Sequence, residues 1–117
     1  MTMGSASVPN YVVLKSPSGT LLHNVLNEIL NGFAVHNFES TIGLPRSEVE
    51  ELFRHLNQLS NEVPVQLTRT EAWAAHNALR EALRELGIEE FQTRTGFDFA
   101  ESERVLRRLG RLLHEAQ

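Results

Sequence analysis

Asn24 and Glu28 stand four residues apart, and the same pair returns at Asn77 and Glu81. An amide and a carboxylate at this spacing share one side of a helix. They can form an intrahelical pair worth a few tenths of a kcal/mol, or they can present a contact surface twice. His23 and His76 immediately precede the two asparagines. Imidazole and carboxylate are also metal ligands, but a helical metal pair wants two histidines four apart. The five histidines are His23, His36, His55, His76 and His114, and no two of them are closer than thirteen residues. His23 and Glu28 are five apart, about 140° around a helix, which is poor geometry for a shared ion. The sequence therefore implies no metal site. Glu48/Glu50 and Glu101/Glu103 are a second repeated pair. Paired carboxylates suit general acid–base chemistry only in a cleft that shifts a pKa; at a helix start the dipole explains them. There is no cysteine, G-x-S-x-G, phosphate-cradling glycine loop or dinucleotide fingerprint. The expectation is a protein that is not an enzyme and carries no cofactor.

What remains is contact chemistry. Trp73 is the only tryptophan. Helical projection sets it toward the polar side, beside Asn77 and Arg80, where tryptophan serves an interface or closes the edge of a core. Arg104, Arg108 and Arg111 share a face of the last helix and suit an acidic partner or a solvated row of ion pairs. The candidate interaction surface is thus Asn24, Glu28, Trp73, Asn77, Glu81, Arg104, Arg108 and Arg111.

The elements that hold these residues occur twice. At an offset of 53, fourteen of the 48 positions 12–59 are identical, from Val12/Val65 through His23/His76, Phe38/Phe91 and Gly43/Gly96 to Leu59/Leu112. A fixed-period repeat governs every other reading of a chain. Each unit opens on an extended segment, Tyr11–Lys15 and Pro64–Thr68, with Val-x-Leu alternation. A long helix follows, about Thr20–Asn31 and Glu71–Glu85, the second introduced by the capping-box spacing Thr68-x-x-Glu71. Its stripe is Leu22, Val25, Leu26, Ile29, Leu30 and Phe33 in the first copy. In the second it is Ala75, Ala78, Leu79, Ala82, Leu83 and Leu86. Large against small surfaces interdigitate, so the two long helices are expected to pack together. Gly32 and Gly87 end these helices. Short helices, His36–Ile42 and Glu89–Thr95, stop at Gly43 and Gly96 in a left-handed conformation. Final helices run from Pro45 to about Leu59 and from Asp98 to about His114. On the helix projection, Asn24/Glu28 and Asn77/Glu81 fall nearly opposite the apolar stripe, which predicts exposure.

The expected fold is α+β, predominantly helical: two tandem strand–helix–short helix–helix repeats related by a pseudo-two-fold, with a small antiparallel two-stranded ribbon. Residues 1–9 read as a flexible tail, and residues 10–117 as one domain of two repeats, 10–60 and 63–114. At 117 residues, one domain can bury a core without staples.

Each short helix, glycine and final helix resembles a helix-turn-helix. Phe38, Gly43, Leu44, Val49 and Leu52 satisfy its apolar spacing; Ser102 breaks the second copy. The motif's small crossing residue is replaced by Glu39 and Gln92. The would-be recognition helix carries Arg46 but also Glu48, Glu50 and Glu51, and carboxylates repel phosphate. Net charge is −4, with three basic and five acidic residues in 1–59 and eight and ten in 60–117. Neither half is a basic lobe, so nucleic acid is not the expected partner. Ten of the eleven basic residues are arginine, which favours ion-pair networks. No apolar run is long enough to span a membrane.

The stretch Asn77-Ala78-Leu79-Arg80-Glu81 through Phe91-Gln92-Thr93-Arg94-Thr95-Gly96 resembles a small uncharacterised bacterial family. Its pattern is Asn-Ala-Leu-x-Glu followed by Phe-x-x-Arg-x-Gly before a helix. The first copy departs at Thr41, where the arginine would stand. The resemblance implies a bacterial, cytoplasmic protein and transfers no reaction, ligand or site. The functional expectation is a non-enzymatic protein-interaction or regulatory module, with a homodimer or another protein as partner and no small-molecule ligand. A helix-turn-helix DNA-binding regulator is the alternative.

Overall fold

Two extended tetrapeptides meet first. β1 (Tyr11–Leu14) and β2 (Val65–Thr68) pair antiparallel, Tyr11 with Thr68, Val12 with Leu67, Val13 with Gln66 and Leu14 with Val65. Strand side chains alternate in direction. Val12, Leu14, Val65 and Leu67 are buried, while Tyr11, Val13, Gln66 and Thr68 face outward. A lone two-stranded ribbon is unstable in water, and this one is covered on its inner face by helices. The computed structural model describes residues 11–15, 17–57 and 64–115. The expected tail, the link at Asn61–Glu62, the turn residue Ser16 and the expected end of the third helix at Leu59 lie outside them.

The helices are α1 (Ser18–Asn27), α2 (Phe38–Ile42), α3 (Arg46–Asn57), α4 (Arg69–Thr95) and α5 (Phe99–Glu115). α1 does not continue as a regular helix to Asn31. Its last turn widens into a π-helical turn, Glu28–Gly32, closed by the Phe33 N–H donating to the Glu28 carbonyl at 3.3 Å. A Cβ on Gly32 would come within van der Waals overlap of the Glu28 carboxylate, which folds back over this glycine. In the second unit the expected break between the helix ending near Glu85 and the one restarting near Glu89 is present inside α4, whose backbone is not helical at Gly87. There φ is 74° and ψ −177°. Glycine is the residue for which this conformation carries no Cβ penalty. Gly43 (φ 106°) and Gly96 (φ 80°) close the short-helix segments in the left-handed region. Their N–H groups donate to the Glu39 and Gln92 carbonyls at 2.8 and 2.9 Å.

The interior follows from the stripes. Leu22, Val25, Leu26 and Ile29 of α1 are buried with Ala75, Ala78, Leu79 and Ala82 of α4, and α1 packs on α4. Alanine on one side lets the backbones approach, and large side chains on the other fill the space. α3 packs on α1, and α5 on α4. Leu52 and Leu56 of α3 and Leu109 and Leu113 of α5 complete the core. No helix of the described residues is long and apolar enough to cross a membrane.

The start of α4 carries a full capping box. The Glu71 N–H donates to Thr68 Oγ1 at 3.1 Å, and the Thr68 N–H to Glu71 Oε1 at 2.9 Å. α5 has a simpler cap, Asp98 Oδ2 accepting from the Glu101 N–H at 2.9 Å. The corresponding position of α1 is Pro17, without a side-chain cap. Thr68→Ala is therefore expected to destabilise the fold by about 1 kcal/mol, read as a lower urea midpoint with an unchanged slope.

Candidate functional site

The duplicated polar pair is not on the surface. Glu28 is 8% and Glu81 7% exposed, and Asn24 and Asn77 are half-buried. The expectation of an exposed face fails because each long helix is covered on two sides. Its apolar stripe meets the shared core. Its polar side meets the end of the short-helix segment from the opposite unit. Asn24 Nδ2 donates to the Thr95 carbonyl at 2.9 Å, and Asn77 Nδ2 donates to the Ile42 carbonyl at 2.9 Å. Thr95 and Ile42 are themselves 2% and 0% exposed. They are the residues just before Gly96 and Gly43, where helix-terminal carbonyls have no partner along the chain. Each asparagine thus supplies a donor across the molecule.

The histidines sit behind the asparagines. His23 Nδ1 lies 3.2 Å from Asn24 Oδ1, and His76 Nδ1 lies 3.1 Å from Asn77 Oδ1. Because each amide nitrogen donates to a carbonyl, each amide oxygen can only accept. Nδ1 must therefore carry the proton. The result is a chain, imidazole N–H to amide oxygen and amide N–H to helix-end carbonyl, present twice. His23 also stacks on Phe53, with centroids 4.4 Å apart at 11°. Trp73 meets the ring edges of His76 and His114 at 5.5 and 5.6 Å. The half-buried indole packs at the core edge between α4 and the end of α5.

The carboxylates are also engaged. Arg94 Nη1 lies 3.1 Å from Glu28 Oε1 and 3.3 Å from the Gly32 carbonyl, and Arg94 Nε lies 3.0 Å from Glu90 Oε1. The hydrogen bond to Glu28, followed by that to Glu90, raises the Arg94 pKa above its already high ordinary value, so it stays a cation. The position 53 residues before Arg94 is Thr41, which is too short to do the same for Glu81. Glu81 is instead paired within its own helix, to Arg84 at 2.6 Å and Arg80 at 3.8 Å. Arg46, the basic residue of the would-be recognition helix, donates to the Leu30 carbonyl and lies over the Phe38 ring. Among the described residues no three His, Asp or Glu side chains converge as metal ligands. Asn24, Asn77, His23, His76 and Glu28 thus take part in contacts that join the first and second halves of the chain.

Of the eight expected surface residues, only Arg104, Arg108 and Arg111 are exposed as predicted. Arg104 and Arg108 line a groove of about 390 Å³ with Lys15, Pro17, Ser18, Glu101 and Val105. A second groove of about 370 Å³ is lined by Leu44, Glu48, Glu51, Leu52, His55, Thr68, Thr70 and Glu71. Every residue lining the first groove stands 53 positions from one lining the second. Yet Glu51 corresponds to Arg104, His55 to Arg108 and Thr68 to Lys15. One groove is acidic and the other basic. Sequence reasoning missed the acidic groove and the exposed ribbon residues Tyr11 and Val13 (51% and 59% exposed). The strand alternation carried a signal for the latter; the groove needs β2, α3 and the start of α4 in three dimensions. Comparison of the chain with protein-family models, with curated proteins and with solved structures finds no match.

Proposed function

We propose that the chain is a non-enzymatic interaction module of the bacterial cytoplasm, a single domain built of two repeats about an internal pseudo-two-fold, whose partner is another protein chain, a copy of itself included. Several features support the repeat and its axis. The ribbon register pairs Val12 with Leu67 and Leu14 with Val65, so partners exchange under the offset of 53. Val13 and Gln66 pair with each other across the axis. The two asparagine bonds exchange in the same way. The observation that carries the functional reading is the use of the duplicated His23/His76 and Asn24/Asn77 in that clasp. The duplicated carboxylates Glu48 and Glu101 are exposed and line two charged grooves beside a partly apolar ribbon face.

The helix-turn-helix reading has one observation in its favour: Arg104, Arg107, Arg108 and Arg111 are all exposed on α5. A pseudo-two-fold would set α3 at the matching half-site, and α3 exposes Glu48, Glu50 and Glu51 there. Carboxylates at the second half-site oppose phosphate. The test is binding of the full chain to mixed-sequence duplex DNA at low salt. The interaction-module reading expects no retention. Binding with a steep salt dependence that Arg104→Ala and Arg108→Ala reduce would replace it with the DNA-binding one.

A further inference from the structure

We infer that two copies of this chain associate through the outer face of the ribbon, the acidic groove of each copy meeting the basic groove of the other. The inference rests on the pseudo-two-fold reading and adds a specific surface and partner to it. Strand alternation sends Tyr11, Val13 and Lys15 of the first extended segment and Gln66 and Thr68 of the second to one face. Lys15 lines the basic groove and Thr68 the acidic groove. The two grooves therefore flank the same face at opposite ends of the strands, with the exposed side chains of Tyr11 and Val13 between them.

Symmetry then selects the arrangement. Sheet faces pack against one another about 10 Å apart. A second copy is laid face to face by a two-fold axis in the ribbon plane, and two directions of that axis bound the choice. One lies along the line joining the grooves and sets acid on acid and base on base. The other lies across that line and sets Glu48 and Glu51 of each copy opposite Arg104 and Arg108 of its mate, twice over. Only the second is electrostatically favourable, and as a closed isologous contact it stops at a dimer. Four-residue strands alone present far less than the ~800 Å² per partner of a stable interface, so the contact must extend over the grooves, where the complementary charges lie. Residues 1–10 precede this face in the chain but contain no Asp, Glu, Lys or Arg. They cannot complement both grooves as a second copy does.

The test is sedimentation equilibrium of the full chain. At low salt a reversible species of twice the 13.2 kDa chain mass is expected, weakened at least about tenfold at high salt, where exposed charges are screened. Glu48→Lys with Glu51→Lys makes both grooves basic, and Arg104→Glu with Arg108→Glu makes both acidic. Each variant alone is expected to be a monomer with unchanged circular dichroism, and an equimolar mixture is expected to form a one-to-one heterodimer. Val13→Asp is expected to be monomeric as well. A monomeric wild type at low salt overturns the inference. So does a dimer that persists unchanged in Val13→Asp and both charge variants, or a mixture that does not associate. None of these results bears on the DNA-binding test, so this dimer and the interaction-module reading fail separately.

Discussion

Replacing Asn77 by alanine is expected to lower the free energy of unfolding by about 1–3 kcal/mol, the cost of a buried polar group left without its partner. The group stranded is the Ile42 carbonyl, which accepts from Asn77 Nδ2 at 2.9 Å beneath a fully buried residue. Asn24→Ala strands the Thr95 carbonyl in the same way. The two sites use different residues of both units, so the two losses should be similar in size. Asn77→Asp should cost more than Asn77→Ala, because a carboxylate facing a carbonyl replaces a donor by a second acceptor. Urea denaturation checks all three, the slope reporting whether unfolding stays one cooperative step. The two losses should add to about 2–6 kcal/mol in the double variant, a large share of a typical total of about 5–15 kcal/mol. If Asn24 and Asn77 merely faced water, neither change would exceed the ±0.5 kcal/mol usual for surface positions.

Phe91→Ala is expected to be the most damaging core substitution, at about 3–5 kcal/mol. The ring is 0% exposed and meets Phe99 edge-on at 5.9 Å, an arrangement that adds to the loss beyond area alone. Its repeat counterpart Phe38 is only partly buried, beneath the Arg46 guanidinium 5.3 Å from its centroid. Phe38→Ala should therefore cost clearly less than its counterpart, although the two positions are identical in sequence. Thermal unfolding of the pair measures the contrast. Equal losses would mean that the two halves bury this position alike.

Much of the fold was legible because local rules and the repeat agreed. The Val-x-Leu alternation located both strands. The Thr68-x-x-Glu71 spacing marked the start of α4, and Gly43 and Gly96 marked the turns before α3 and α5. The large stripe of α1 and the alanine stripe of α4 anticipated their packing. The π-helical turn at Glu28–Gly32 was not legible, since nothing in residue type separates it from one more turn of α-helix. The break at Gly87 was legible, because glycine takes the positive φ that interrupts a helix without a Cβ penalty. The candidate residues were misplaced for a related reason. A helical projection records one buried stripe, and the polar side of α1 and α4 is buried by a different element, the far unit's short-helix end. Asn24, Glu28, Asn77 and Glu81 could be recognised as repeated, but the partners Thr95, Arg94 and Ile42 of the first three lie at separations that a projection does not show, whereas Glu81 and Arg84 are three apart on one helix. Trp73 was ambiguous until the rings of His76 and His114 flanked it. The basic face of α5 was legible because it is exposed among the described residues.

Native-state hydrogen exchange tests most directly whether the two units share one interior. The slowest amides of α1, around Leu22–Leu26, and of α4, around Ala78–Ala82, are expected to exchange through the same global opening, at one free energy. Both sets should fall together, by the same amount, in Asn24→Ala and in Asn77→Ala. Two distinct free energies, with each substitution loosening one set and sparing the other, would contradict a common core held by reciprocal bonds.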